Sequence, residues 1–184
     1  MPRPGTHPGR SRSEHPYSMG QVRANPSTGA WALQLPESAY DEHHSLVLAQ
    51  SQMPNGVLCL LSALQFHGIT SQLPREIWMA IEGGSHQPRV TGAKVRVCRF
   101  TGEAYSSGIE IHKVEGGSLR VYGATKTVID CFRMRNKIGV DVAIEALRDA
   151  LRSRKTTIAE LENTAARLRA RTILRPYLEM AAAS

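Results

Sequence analysis

The 184-residue sequence has no apolar run that could span a membrane. Its longest, Gly56 to Leu61, falls far short of the roughly 18 residues a spanning helix needs. Its first 30 residues are rich in Pro, Gly, Ser and Arg and hold no apolar core segment, so no secretory signal is expected. Aromatic residues make up only 5%, which argues against a large aromatic core or a base-stacking surface. Cysteines number three (Cys59, Cys98 and Cys131), widely spaced and each in apolar surroundings. This suits buried thiols in a reducing cytoplasm rather than a disulfide framework or a zinc site. Phosphate-cradling loops are missing too. Gly83-Gly84 and Gly116-Gly117 lack the lysine or third glycine that such loops require.

What the chain does have is positive charge, net +7 by formal count. Between Cys131 and Arg175 eleven basic residues stand against five acids, a surplus of six concentrated in one segment. A surface of this kind attracts polyanions or an acidic protein and weakens with salt; solvated helix faces would give the same count.

Local patterns divide the chain into residues 1–28, 29–53 and 54–184. The first stretch holds five of the ten prolines and few aliphatics, too little apolar area to offset the entropy of ordering, and is expected to be a disordered tail. Ala30-Trp31-Ala32-Leu33 suits a short strand, and a short helix is expected from Asp41 to Gln52, ended by Pro54. Asn55 can cap a buried helix carrying Val57, Leu58, Leu60, Leu61 and Leu64, with Gly68 as its left-handed terminator. Short β-rich segments follow at Glu76–Ile81, Val95–Phe100, Ile109–Val114 and Leu119–Tyr122, the last two joined by a Gly-Gly hairpin turn.

The remainder reads as helix. Thr125 is a candidate N-cap, Gly139 a stop, and Asp141 a second start. Thr157 and Glu160 form a capping box, and Pro176 suits the first turn of a final helix to Ala182. The order implies an α+β fold: a small, mostly antiparallel sheet with helices packed on one face and an all-helical C-terminal half.

Candidate chemistry is sparse. His43 and His44 are the only adjacent histidines, and side chains about 100° apart on a helix do not chelate one ion, so no metal or other cofactor is expected. Ser62 and His67 lie on different helical faces, and nothing like a nucleophile elbow surrounds the serine. Asp130, in an apolar helix stretch, could face a cleft, or pair with a neighbouring base such as Arg133. No catalytic residue is assigned.

Several stretches carry a resemblance. Asp41-Glu42-His43-His44-Ser45-Leu46, Pro54 to Thr70 with its LLSALQFHGIT run, Pro74-Arg75-Glu76-Ile77-Trp78, the T-x-x-D-x-F-R segment within Thr127 to Gly139, and Arg175-Pro176-Tyr177-Leu178 resemble the AbiEi-type antitoxin family of bacterial toxin–antitoxin and phage-defence systems. These stretches span roughly three-quarters of the chain in the family's order. The resemblance implies an antitoxin-like transcriptional regulator that neutralises a cognate nucleotidyltransferase toxin. It also implies an N-terminal winged helix-turn-helix that binds promoter DNA. Residues 1–28 are too few and too proline-rich for that module, so the chain is expected to have lost it or to start downstream of it. Residues 29–53 would then be a remnant of the wing strand and a short helix.

The function expected is therefore non-enzymatic and cytoplasmic. The candidate nucleic-acid or partner-binding residues are Arg133, Arg135, Lys137, Arg152, Arg154, Lys155, Arg167 and Arg171. Their partners would be the toxin and, through phosphate contacts, DNA; no membrane partner is expected, and an oligomer is possible. A folded relic without a partner, and a phosphate- or nucleotide-handling enzyme using Asp130, are the alternatives.

Overall fold

Apolar strands buried on both faces decide the architecture. The computed structural model describes Arg23–Ala24, Trp31–Ala32 and residues 37–182, with side chains from His43 onward. The chain forms two compact units, residues 1–40 and 41–184. In the first, strands β1 (Arg23–Ala24) and β2 (Trp31–Ala32) pair antiparallel, and the second is the strand expected around Trp31. Apart from β1, the expected tail, residues 1–28, lies outside the described residues.

The second unit is built on a five-stranded sheet of β3 (Val57–Leu58), β4 (Ile77–Glu82), β5 (Val95–Phe100), β6 (Ile109–Val114) and β7 (Gly117–Tyr122), in the order β5-β4-β3-β7-β6. Helix α1 (Glu37–Gln52) precedes it, α2 (Leu60–His67) follows β3, and a single turn, α3 (Glu103–Ser106), precedes β6. After Tyr122 the described residues are helical: α4 (Ala124–Arg133), the short α5 (Arg135–Ile138), α6 (Val140–Arg152), α7 (Ile158–Arg167) and α8 (Arg171–Ala182).

The α+β class is borne out, but the sheet is mixed. β3 runs antiparallel to β4 and parallel to β7, and β4 and β5 are parallel; β6 and β7 form the antiparallel hairpin. The helices are not confined to one face either. Val57, Trp78, Ala80, Cys98, Phe100 and Tyr122 share a core with α2, α4, α6, α7 and α8. Leu58, Met79, Ile81, Leu119 and Val121 point the other way, onto Ala49 of α1 and Met53 just beyond its end. With both faces covered, the central strands are continuous apolar runs rather than alternating ones. Gln50 fastens α1 there: its amide donates to the Met53 and Gly56 carbonyls, at 2.9 and 3.0 Å, and its side-chain oxygen accepts from the Arg120 N–H.

Three local expectations are corrected. Asn55 caps no helix, because Val57 and Leu58 are the central strand and α2 starts only at Leu60, after Cys59. A buried apolar run this short cannot be assigned to strand or helix by periodicity. Thr125 lies inside α4, whose N-cap is Gly123; its hydroxyl sits 2.7 Å from that of Thr156. Pro176 lies well inside α8 rather than in its first turn, and buried Leu174 and Leu178 on either side anchor the helix despite the missing N–H.

Other expectations hold. Gly68 ends α2 at φ 62° and ψ 38°, and the Ile69 N–H reaches the Leu64 carbonyl at 3.0 Å. The hairpin forms between the two expected strands but is tighter than the expected Gly-Gly turn: Val114 pairs with Gly117, so the turn is Glu115-Gly116, with Gly116 at φ 87°. The Thr157–Glu160 capping box forms in both directions.

Candidate functional site

Helices α4 and α6 place the basic residues. The Thr125–Thr156 contact brings the start of α4 beside the end of α6, so the two run antiparallel. Arg133 closes α4, and Arg135 and Lys137 follow in α5, just ahead of α6. Arg152, Arg154 and Lys155 come at and beyond its far end. The 13 residues of α6 hold these two triplets about 20 Å apart.

Several of these cations have local partners. Arg152 meets Asp149 at 2.8 Å, and the Arg135 guanidinium donates to the Phe132 carbonyl at 2.9 Å. Lys155 donates to the carbonyl of His67, the last residue of α2, where a cation also meets the negative end of the helix dipole. Arg167 grips one oxygen of Glu103 through two nitrogens, at 3.1 and 3.0 Å, tying α7 to α3. Lys137, Arg154 and Arg171 make no ion pair among the described residues, and all three are exposed. Arg154 holds its side chain out from a backbone at φ 55°.

The eight residues do not converge. Lys155 and Arg167 line a cavity of about 540 Å³ at the start of α4, with Lys126, His67, Glu110 and Glu160, so its charge is mixed. Arg171 lines a different cavity of about 470 Å³, between α7 and α8, beside Glu162 and Glu179. A third of about 650 Å³ lies between His43, Phe66, Arg75 and Lys94. The other five basic residues line none of the three.

Asp130 also lines none of them. It is 1% exposed, and its partner is Lys126, one helical turn before it and itself 2% exposed. The ammonium lies over the Tyr122 ring, 3.8 Å from its centroid, and 5.0 Å from that of Phe100. Arg133, the partner considered from sequence, stands further off at 3.6 Å from Oδ1, an oxygen without a hydrogen bond. Burial pushes the Asp130 carboxyl up and the Lys126 amine down, each partly offset by the other's charge. The sequence did hold the signal for this pair, a lysine four residues before an aspartate on one helix face.

The remaining candidates have structural work. All three cysteines are buried and free. The Ser62 hydroxyl accepts the Trp78 N–H at 2.9 Å, whereas the His67 ring donates to the Tyr122 carbonyl at 2.7 Å, so each is committed to a different strand. Among the described residues no group of three or more His, Cys, Asp or Glu side chains could hold a metal ion. No helix there is long and apolar enough to cross a membrane.

No family model matches the sequence, and no curated protein matches it.

Proposed function

We propose that the chain is a non-enzymatic, antitoxin-like regulator that binds a nucleotidyltransferase toxin, and nucleic acid through phosphate contacts, with the basic ends of its helical layer. The observation that carries this reading is the pair of basic triplets held about 20 Å apart by α6. Helix dipoles account for cations closing α4 and α6, such as Arg133 and Arg152. Lys137, in the last turn of α5, and Arg154, just past α6, are exposed and without an ion pair among the described residues, which leaves both charges able to meet a partner. The resemblance of the Pro54–Thr70 and Thr127–Gly139 stretches to AbiEi-type antitoxins supplies the class of partner.

The test pairs the full chain with the product of the reading frame immediately downstream, which this reading expects to be a nucleotidyltransferase, and separately with a DNA duplex. K137E/R154E is expected to weaken toxin binding about tenfold, or 1.4 kcal/mol, with the circular dichroism spectrum unchanged. If Lys137, Arg154 and Arg171 each neutralise one phosphate, DNA affinity falls about fortyfold between about 50 and 200 mM salt. A toxin affinity untouched by the double reversal, together with DNA affinity flat across the salt series, would overturn the proposal.

A further inference from the structure

The sheet ends on two unlike edges. At one, β5 carries Arg96 and Arg99 with Lys94 just before it; Glu76 pairs with Arg96 at 2.8 Å, and Lys94 and Arg99 leave that edge net positive, which disfavours pairing with its own copy. At the other, β6 reads Ile109-Glu110-Ile111-His112-Lys113-Val114, both signs of charge around an isoleucine that is 73% exposed. No described strand pairs with its outer side.

Register fixes what that side offers. The Gly123 N–H donates to the Gly108 carbonyl at 2.8 Å, and the same pairing continues through Glu110–Val121, His112–Leu119 and Val114–Gly117. Alternate residues therefore turn their backbone groups toward β7, and Ile109, Ile111 and Lys113 turn theirs outward. We propose that this edge is the interface of a homodimer, in which two β6 strands pair antiparallel about a two-fold axis at Ile111.

A two-fold perpendicular to the sheet keeps each residue on its own face, so the paired residue numbers must add to an even number. With Ile111 opposite its own copy, Ile109 meets Lys113 of the second copy, and all three outward residues of both strands are paired through six backbone hydrogen bonds. A shift of two residues either way leaves some of them unpaired. This register also places Glu110 opposite His112 of the second copy, twice, on the face where Glu110 already holds its own His112 at 3.0 Å. Each carboxylate would then lie between two imidazoles, and the two exposed isoleucines would cover each other. The charge complementarity selects a second copy of the chain as the occupant. The pairing is independent of any toxin or DNA binding.

Five paired residues bury much less than the roughly 1,600 Å² of a standard interface, so the dimer should dissociate on dilution, with a Kd of about micromolar order. The test is sedimentation equilibrium of the full chain across a concentration series. Ile111→Pro removes an N–H that points away from β7, so it spares the hairpin while deleting both central bonds between copies. Its expected result is a Kd at least about tenfold higher at an unchanged circular dichroism spectrum. Ile111→Lys, which keeps the backbone and places two cations at the axis, is expected to give a monomer even if the proline variant misfolds. A wild-type chain that stays monomeric at about 1 mM, or a dimer unaffected by Ile111→Lys, would overturn the inference.

Discussion

The Lys126–Asp130 pair gives the sharpest test of how this domain is held together. Both side chains are almost wholly buried, between α4 and the sheet face that carries Phe100 and Tyr122. Lys126→Met keeps most of the aliphatic stem but leaves the Asp130 carboxylate in apolar surroundings, with Oδ1 already unbonded and only Arg133, at 3.6 Å, nearby. Removing one member of such a pair costs about 3–5 kcal/mol, because the other charge stays desolvated. At about 2–4 °C of melting temperature per kcal/mol for a chain of this size, the transition should fall by about 6–20 °C. Replacing both partners, Lys126→Met with Asp130→Leu, removes the stranded charge and should recover most of the loss. Urea unfolding of the wild type, both single variants and the double variant forms a complete cycle. A coupling energy below about 0.5 kcal/mol would refute the claim that these two charges exist for each other.

Two further outcomes follow from single side chains. Burial lowers the pKa of His67 below its ordinary 6.5, against the opposing pull of its bond to the Tyr122 carbonyl. The unfolded chain therefore binds the proton more readily, and stability should fall as pH drops below about 6.5, by at most about 1.4 kcal/mol per pH unit. His67→Gln should flatten that slope in denaturant midpoints measured between about pH 7.5 and 5.5, and an identical slope in the variant would contradict it. Thr157→Ala removes the hydroxyl that accepts the Glu160 N–H and should cost about 1 kcal/mol in chemical denaturation.

Features written in consecutive residues were legible from sequence. Glycine at the end of α2, the capping box and the strand Val95–Phe100 need only local chemistry, and each stands where it was expected; the hairpin turn does so too, though with Gly117 and Ser118 drawn into β7. What was not legible depends on who the neighbours are. Val57 and Leu58 read as the start of a helix because a central strand buried on both faces shows no alternation. The parallel pairing of β3 with β7 joins residues about sixty positions apart, beyond any local signal. Asp130 shows the same limit at the site. From sequence the base named for it was Arg133, and the packing of Phe100 and Tyr122 around the ammonium decides for Lys126 instead.

That limit also changes how the basic segment should be probed. The charge surplus treats every Arg and Lys alike, yet Lys155 caps α2, Arg167 joins α7 to α3, and Arg135 bonds the carbonyl of Phe132. Reversing any of these removes a contact of the fold, so lost binding in such a variant would say little about a partner. Lys137 and Arg154 are different, since neither makes an ion pair among the described residues and both are exposed. A change in binding on reversing them is therefore attributable to the surface they present. The two lie beyond opposite ends of α6, so they also separate the possible geometries. A partner that spans the helix responds to either reversal, whereas one seated at a single end responds to only one.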